Sequence, residues 1–139
     1  MEDYIFNYIN NQTRNKIIVL KNNFLELDFV DVGLVLSKCL HDFTSDEKIA
    51  VKTHLFLEEK LDYSIKVHSK YGKYLAIKNL GILFEKELKL NFCSILDKYS
   101  RSNLLFIKWE GEIDEENLYF LSKIKGEKIN IKNLSYIAI

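Results

Sequence analysis

Lys16-Ile17-Ile18-Val19-Leu20-Lys21 is the stretch on which the fold turns. Four aliphatic residues in a row, three of them β-branched, stand between two lysines. A run without polar alternation predicts a strand covered on both faces, and such strands belong to parallel sheets packed between helices. Tyr74-Leu75-Ala76-Ile77 and Asn103-Leu104-Leu105-Phe106-Ile107-Lys108-Trp109 read the same way, the second ended by Glu110-Gly111. Phe29-Val30-Asp31-Val32 predicts a shorter strand of the same kind.

Helical spacing fills the intervals. Tyr4, Ile5, Tyr8 and Ile9 predict a short amphipathic helix over residues 2–11, and Leu36, Cys39, Leu40 and Phe43 share one helical face. Thr44-Ser45-Asp46-Glu47 fits a capping box. It should open a long helix with Ala50, His54, Leu57, Leu61 and Ile65 on one stripe, running to about residue 69 and stopped by Tyr71-Gly72. Leu88, Phe92, Ile95, Leu96 and Tyr99 predict a further helix over 86–99. Leu118–Leu121 and Lys128–Ile131 suggest a small antiparallel pair at the sheet edge, and the apolar run 136–139 should dock. Strands alternating with helices predict an α/β fold: a three-layer, mostly parallel sheet covered by helices, forming one domain over residues 1–139.

Composition narrows the classes. The chain of 139 residues carries 20 basic and 20 acidic side chains, with no proline. Eight basic groups face eleven acidic ones up to residue 69, and twelve face nine beyond it, which is too slight a polarity to mark a polyanion footprint. No apolar run reaches the roughly 18 residues of a membrane span, and Met1-Glu2-Asp3-Tyr4 lacks the order of a signal peptide, so a cytoplasmic protein without membrane contact is expected. Cys39 and Cys93 stand far apart without a histidine pair, and His41 and His68 have no partner at ligand spacing, so neither metal nor cofactor is expected.

In a parallel α/β sheet, ligands bind at the carboxyl ends of the strands. A phosphate loop there needs glycines that let backbone N–H groups turn toward the anion, followed by a lysine and a hydroxyl. Lys21-Asn22-Asn23-Phe24 offers nothing of the kind, since no glycine precedes Gly33 and no Gly-Lys-Ser/Thr triplet exists. At the next strand end, where a nucleoside triphosphatase places a magnesium-binding acid, the residue is Lys78.

Lys78-Asn79-Leu80-Gly81-Ile82-Leu83-Phe84, the helix through Ile95-Leu96, Tyr99-Ser100-Arg101-Ser102 and Lys108-Trp109-Glu110-Gly111-Glu112-Ile113 resemble the small P-loop ATPase-like component of BREX phage-defence systems, the BrxF-like proteins. Asp31-Val32-Gly33-Leu34 and Leu36-Ser37-Lys38 are similar to the segment that follows the family's nucleotide loop, and the resemblance runs in order over residues 16–120. It implies a P-loop scaffold whose magnesium-binding acid falls on Lys78, whose following acid falls on Gly81, and whose Trp-Asn-Gly asparagine falls on Glu110. Ten residues between Leu20 and Asp31 stand where the family has a glycine-rich loop and a helix, so the scaffold implied is one with the phosphate-binding loop missing.

Arg101, Lys78 and Trp109 are the candidate contacts to a partner or a phosphate. Arg101 is one of two arginines, Lys78 replaces the acid, and Trp109 ends a strand before a glycine. Each has an ordinary reading too: a helix-capping surface arginine, a solvated lysine, a core tryptophan with its N–H satisfied. His54 reads as a hydrogen-bonded residue on an apolar stripe. Glu58-Glu59-Lys60 and Glu87-Leu88-Lys89 spell a nuclease-like triplet but lie in helical patterns, and the acidic run Glu110–Glu116 reads as an exposed loop balanced by lysines 123, 125, 128 and 132. No Gly-x-Ser-x-Gly motif and no Cys–His pair offers a covalent nucleophile.

The residues and the resemblance together lead to the expectation of a non-catalytic subunit of a bacterial antiviral defence complex. Its partners would be larger defence-system proteins or further copies of itself. The alternative is a nucleic-acid-binding module that uses Arg101 and the lysines of the second half.

Overall fold

β1 (Ile17–Leu20) is buried at all four positions, as a strand inside a sheet must be. It pairs in parallel with β5 (Leu104–Lys108) on one side and β9 (Tyr136–Ala138) on the other. β5 pairs in parallel with β4 (Gly72–Lys78), and β4 with β2 (Phe29–Asp31), so the order is β2-β4-β5-β1-β9. β3 (Lys66–His68) adds antiparallel to β4. This computed structural model describes residues 2–21, 26–43, 48–84, 88, 90–120, 128–132 and 134–139, with the backbone alone at 2, 3 and 39–43.

The period of two divides each strand between two cores. Ile17, Val19, Leu75, Ile77, Leu105 and Ile107 face α2 (Val32–Phe43), α3 (Ile49–Tyr63) and α4 (Phe92–Arg101), which contribute Leu36, Leu57, Leu61, Ile95, Leu96 and Tyr99. Ile18, Leu20, Tyr74, Ala76, Leu104 and Phe106 face α1 (Glu2–Asn10), through Ile5 and Tyr8. Each large aliphatic side chain so buried contributes about 2 kcal/mol. Among the described residues, the sheet thus lies between α-helices, three on one face and one on the other.

One connection is short for its span. Leu20 and Phe29 are separated by eight residues, although β1 and β2 lie three strand positions apart, about 14 Å at the spacing of neighbouring strands. Parallel crossovers usually take a dozen or more residues and include a helix. Eight are below that usual length. The face left over is filled by α1, with Leu27 packed partly against it.

α1 is fastened by polar contacts. Tyr8 Oη accepts from the Ile17 N–H at 2.8 Å and lies within 3.1 Å of the carbonyl of Asn15 and 3.0 Å of that of Ser135. The Lys16 ammonium meets the Tyr8 and Asn11 carbonyls, the Asn11 side chain and the Thr13 hydroxyl at 2.6–3.0 Å, closing the carboxyl end of the helix.

Several elements differ from what periodicity predicts. α3 stops at Tyr63 instead of running to residue 69: Ser64 is its C-cap, with its N–H on the Lys60 and Leu61 carbonyls, and the chain then enters β3. Gly72, at φ +79°, supplies the left-handed turn between β3 and β4 in place of a helix stop. The buried stripe of α3 is Thr53, Leu57 and Leu61, and His54 lies partly exposed beside Glu58 at 3.2 Å, which corrects its placing on the apolar stripe. α4 begins at Phe92 and not at 86, capped by Asn91, whose Oδ1 accepts from the Ser94 N–H at 3.1 Å. The capping box at 44–47 lies outside the described residues.

The small antiparallel pair is real but stands apart from the main sheet. β7 (Asn117–Tyr119) is the middle strand of a second sheet, between β6 (Glu112–Ile113) and β8 (Lys128–Asn130). No described helix is long and apolar enough to cross a membrane.

Candidate functional site

Past their carboxyl ends, β4 and β5 diverge and leave a cleft of about 250 Å³. Asn79, Leu80 and Gly81 line one wall, Lys108, Trp109, Glu110 and Gly111 the other, and Phe120, one residue past β7, also lines it. The position agrees with the rule that parallel sheets present ligand sites at their carboxyl edge.

Tight contacts fix the walls. Asn79 adopts φ +57°, a left-handed conformation that asparagine tolerates better than most residues. Its carbonyl accepts from the Gly33 N–H at 3.0 Å, and its Nδ2 donates to Asp31 Oδ1 at 2.8 Å. A Cβ at Gly33 would come within 2.3 Å of Asn79 Nδ2, so glycine here lets the start of α2 meet the end of β4. The Asp31 carboxylate also accepts from the Leu34 N–H at 2.9 Å, capping α2. That backbone bond, the Asn79 amide and the nearby Lys78 charge hold its pKa below the usual value of 3.8, against a small opposing effect of burial.

On the other wall, Trp109 is buried, with its Nε1–H between the carbonyls of Glu112 at 3.1 Å and Tyr119 at 3.2 Å. The tryptophan is therefore a core residue with its N–H satisfied, and it also lines the cleft. A Cβ at Gly111 would lie 1.9 Å from the Tyr119 carbonyl oxygen, so only glycine lets β5 fold back over the second sheet. Phe120 stacks on Phe84 with centroids 5.2 Å apart.

The register assembles a charged row. Asp31 pairs with Lys78, Ile77 with Ile107 and Leu20 with Lys108, so Lys78 and Lys108 occupy adjacent last positions of β4 and β5. Both are half-buried. Among the described residues, no group of three or more His, Cys, Asp or Glu side chains is placed to hold a metal ion.

Of the three residues singled out from sequence, Lys78 and Trp109 meet at this edge and Arg101 does not. α4 runs antiparallel to β5 and joins it by a short turn, which leaves Arg101 at the amino end of the sheet. There its guanidinium pairs with Asp97, which also meets Arg14 at 3.2 Å and the buried Asn15 at 2.9 Å. Arg101 is thus a helix-end ion pair, separate from the cleft. Lys108, Asn79 and Phe120 were not singled out. A signal for Lys108 was present, because the runs ending Leu20-Lys21, Ile77-Lys78 and Ile107-Lys108 all close on a lysine.

No family model, no curated protein and no solved structure matches this chain.

Proposed function

We propose that this chain is a non-catalytic subunit of a BREX-like bacterial antiviral defence complex, built on a P-loop ATPase scaffold and acting through protein–protein contacts. The observation that carries the reading is the order of the parallel strands. Numbered along the chain, the five parallel strands lie 2-3-4-1-5. The strand that would lead into a nucleotide loop is then interior, between β5 and β9, and the strand that would end in the magnesium-binding acid lies two places away. That is the arrangement expected of the scaffold the resemblance implies.

The chemistry of the edge supports loss of catalysis. Lys78 ends β4 where an acid would hold magnesium, Gly81 and Glu110 replace the other two polar residues of the family pattern, and eight residues replace the loop after β1. A lysine ammonium cannot coordinate a cation. Val51 and Leu55, one helical turn apart on α3, stay more than half exposed and offer apolar surface for a partner.

Affinity purification of the tagged chain from its native host tests the proposal, together with an ATP turnover assay. The expected result is a defined complex with a larger protein that survives gel filtration, and no turnover with magnesium present. Steady ATP hydrolysis or tight magnesium–ATP binding would sink the reading. A salt-dependent gel shift abolished by Arg101→Glu would favour the nucleic-acid module instead.

A further inference from the structure

α3 carries its charges the wrong way round for a helix standing alone. Lys48 and Lys52 lie at its amino end, where no acid stands in the first turn, while Glu58, Glu59 and Asp62 lie toward its carboxyl end. The helix dipole favours the reverse order, acids first and bases last. Lys60, the base in the last turn, lies over the Phe56 ring at 5.7 Å.

The same helix is apolar on two sides. Thr53, Leu57 and Leu61 turn into the core, yet Val51 and Leu55 are 60% and 59% exposed and Tyr63 is 89% exposed. At about 3.6 residues per turn, Lys48, Lys52, Leu55, Glu59 and Asp62 follow one another along the outward line, with Val51 and Tyr63 on its two flanks. All seven are exposed.

This line is its own complement. Turned end for end about Leu55, it sets Lys48 against Asp62 and Lys52 against Glu59, while Leu55 meets Leu55. An antiparallel neighbour also brings a reversed dipole, so each misplaced charge comes beside the helix end that favours it. Among the described residues Glu59 makes no ion pair, and Asp62 accepts from the Tyr99 hydroxyl at 2.7 Å through Oδ1. A different protein docking here would need the opposite pattern on its own surface. It would not need this pattern to be its own opposite.

We propose that the outer face of α3 is an isologous interface through which two copies of this chain pair antiparallel, about a two-fold axis at Leu55. Leu55 and Val51 supply the apolar centre, Lys48 and Lys52 pair with Asp62 and Glu59 of the partner subunit, and Tyr63 lies beside the partner's basic end. This deepens the preceding reading by naming an occupant for the exposed surface of α3, and rests on it only in taking that surface for a contact site.

Sedimentation velocity of the purified chain, from micromolar to millimolar concentration at low salt, tests this. The expected result is a reversible monomer–dimer equilibrium that salt weakens. Leu55→Glu, at the centre of the interface, should raise the dissociation constant about tenfold or more. Lys52→Glu and Glu59→Lys should each weaken pairing, the two single variants mixed together should form a heterodimer, and the double variant should pair like wild type. Circular dichroism confirms the fold of each variant. A monomer at every concentration overturns the proposal and leaves the defence reading, which stands on capture of a larger protein, to its own test. A dimer indifferent to Leu55→Glu and to the charge reversals forms through another face and also overturns it. So does a monomeric chain whose capture of a larger protein is lost in Leu55→Glu, since the face then belongs to that protein. A Leu55-dependent dimer that captures nothing from the host would end the defence reading and keep this one.

Discussion

Asn79 donates from Nδ2 to Asp31 Oδ1 at 2.8 Å, tying the end of β4 to the end of β2 just where α2 begins. The same oxygen accepts from the Leu34 N–H, so one carboxylate joins two strand ends and a helix. Asp31→Ala should lower stability by about 1 kcal/mol, the usual cost of losing a helix N-cap, as measured by urea unfolding at pH 7. Because the folded pKa lies below 3.8, the charge-dependent part of this contribution is complete above that value and is lost as pH falls through the lower folded value. The gap between wild type and Asp31→Asn should therefore narrow as pH is lowered below 4.

Tyr8 gives the opposite pH dependence. Burial pushes its hydroxyl up from 10.0 to about 12, only partly opposed by its hydrogen bond from the Ile17 N–H. A phenol whose pKa is raised by folding contributes stability that is complete below pH 10 and lost as pH rises toward 12. Unfolding curves between pH 9 and 11.5 should show an alkaline loss of about 2 kcal/mol that is missing from Tyr8→Phe. At neutral pH Tyr8→Phe should itself be less stable, because the Ile17 N–H loses its acceptor at a buried position.

Lys16 closes the other side of the same contact. Its ammonium has four oxygen neighbours within 3.0 Å, two of them carbonyls at the carboxyl end of α1. Lys16→Met keeps the aliphatic stem and removes the charge. It should cost about 2 kcal/mol, and hydrogen exchange should show faster opening at Tyr8 and Ile9 while β5 amides stay protected.

The parallel sheet was legible because burial on both faces leaves a plain mark, the unbroken aliphatic runs 17–20, 74–77 and 104–107. Helix ends were less so. Ile65 extends the helical stripe on paper, yet the chain leaves α3 after Tyr63 and enters β3, a change that periodicity does not register. The cleft was half legible. Trp109 and Lys78 stand out by their position at strand ends, but the pairing of Lys78 with Lys108 depends on a register that brings together residues thirty apart. Arg101 misled because rarity in composition says nothing of which end of the sheet a helix delivers it to.

Gly111 allows a direct test of the fold-back that builds the cleft. Gly111→Ala would drive a methyl group to 1.9 Å from the Tyr119 carbonyl, the oxygen that also accepts from Trp109 Nε1. Backbone on both sides leaves no flexible side chain to give way, so the second sheet must move. A loss of about 2–3 kcal/mol is expected, together with a red shift of Trp109 emission before global unfolding. Unchanged emission and stability would mean that β5 and the second sheet are not packed as described.

On the proposed reading, Lys78→Asp asks whether an acid at the end of β4 would by itself restore ATPase chemistry. The new carboxylate would face Asp31 at a paired position on the neighbouring strand, replacing an attraction with a repulsion worth about 1 kcal/mol. The repulsion acts only while both groups are ionised, so the destabilisation should be larger at pH 7 than at pH 4. A magnesium ion bound between the two acids would relieve it, and added magnesium should then raise the thermal midpoint of the variant but not of wild type. ATP turnover should nevertheless stay at background. Positioning the γ-phosphate for in-line attack falls to the loop after the first strand, and here only eight residues join Leu20 to Phe29, with no glycine among them. Measurable turnover in Lys78→Asp would show that the loop is dispensable and that catalysis was one substitution away.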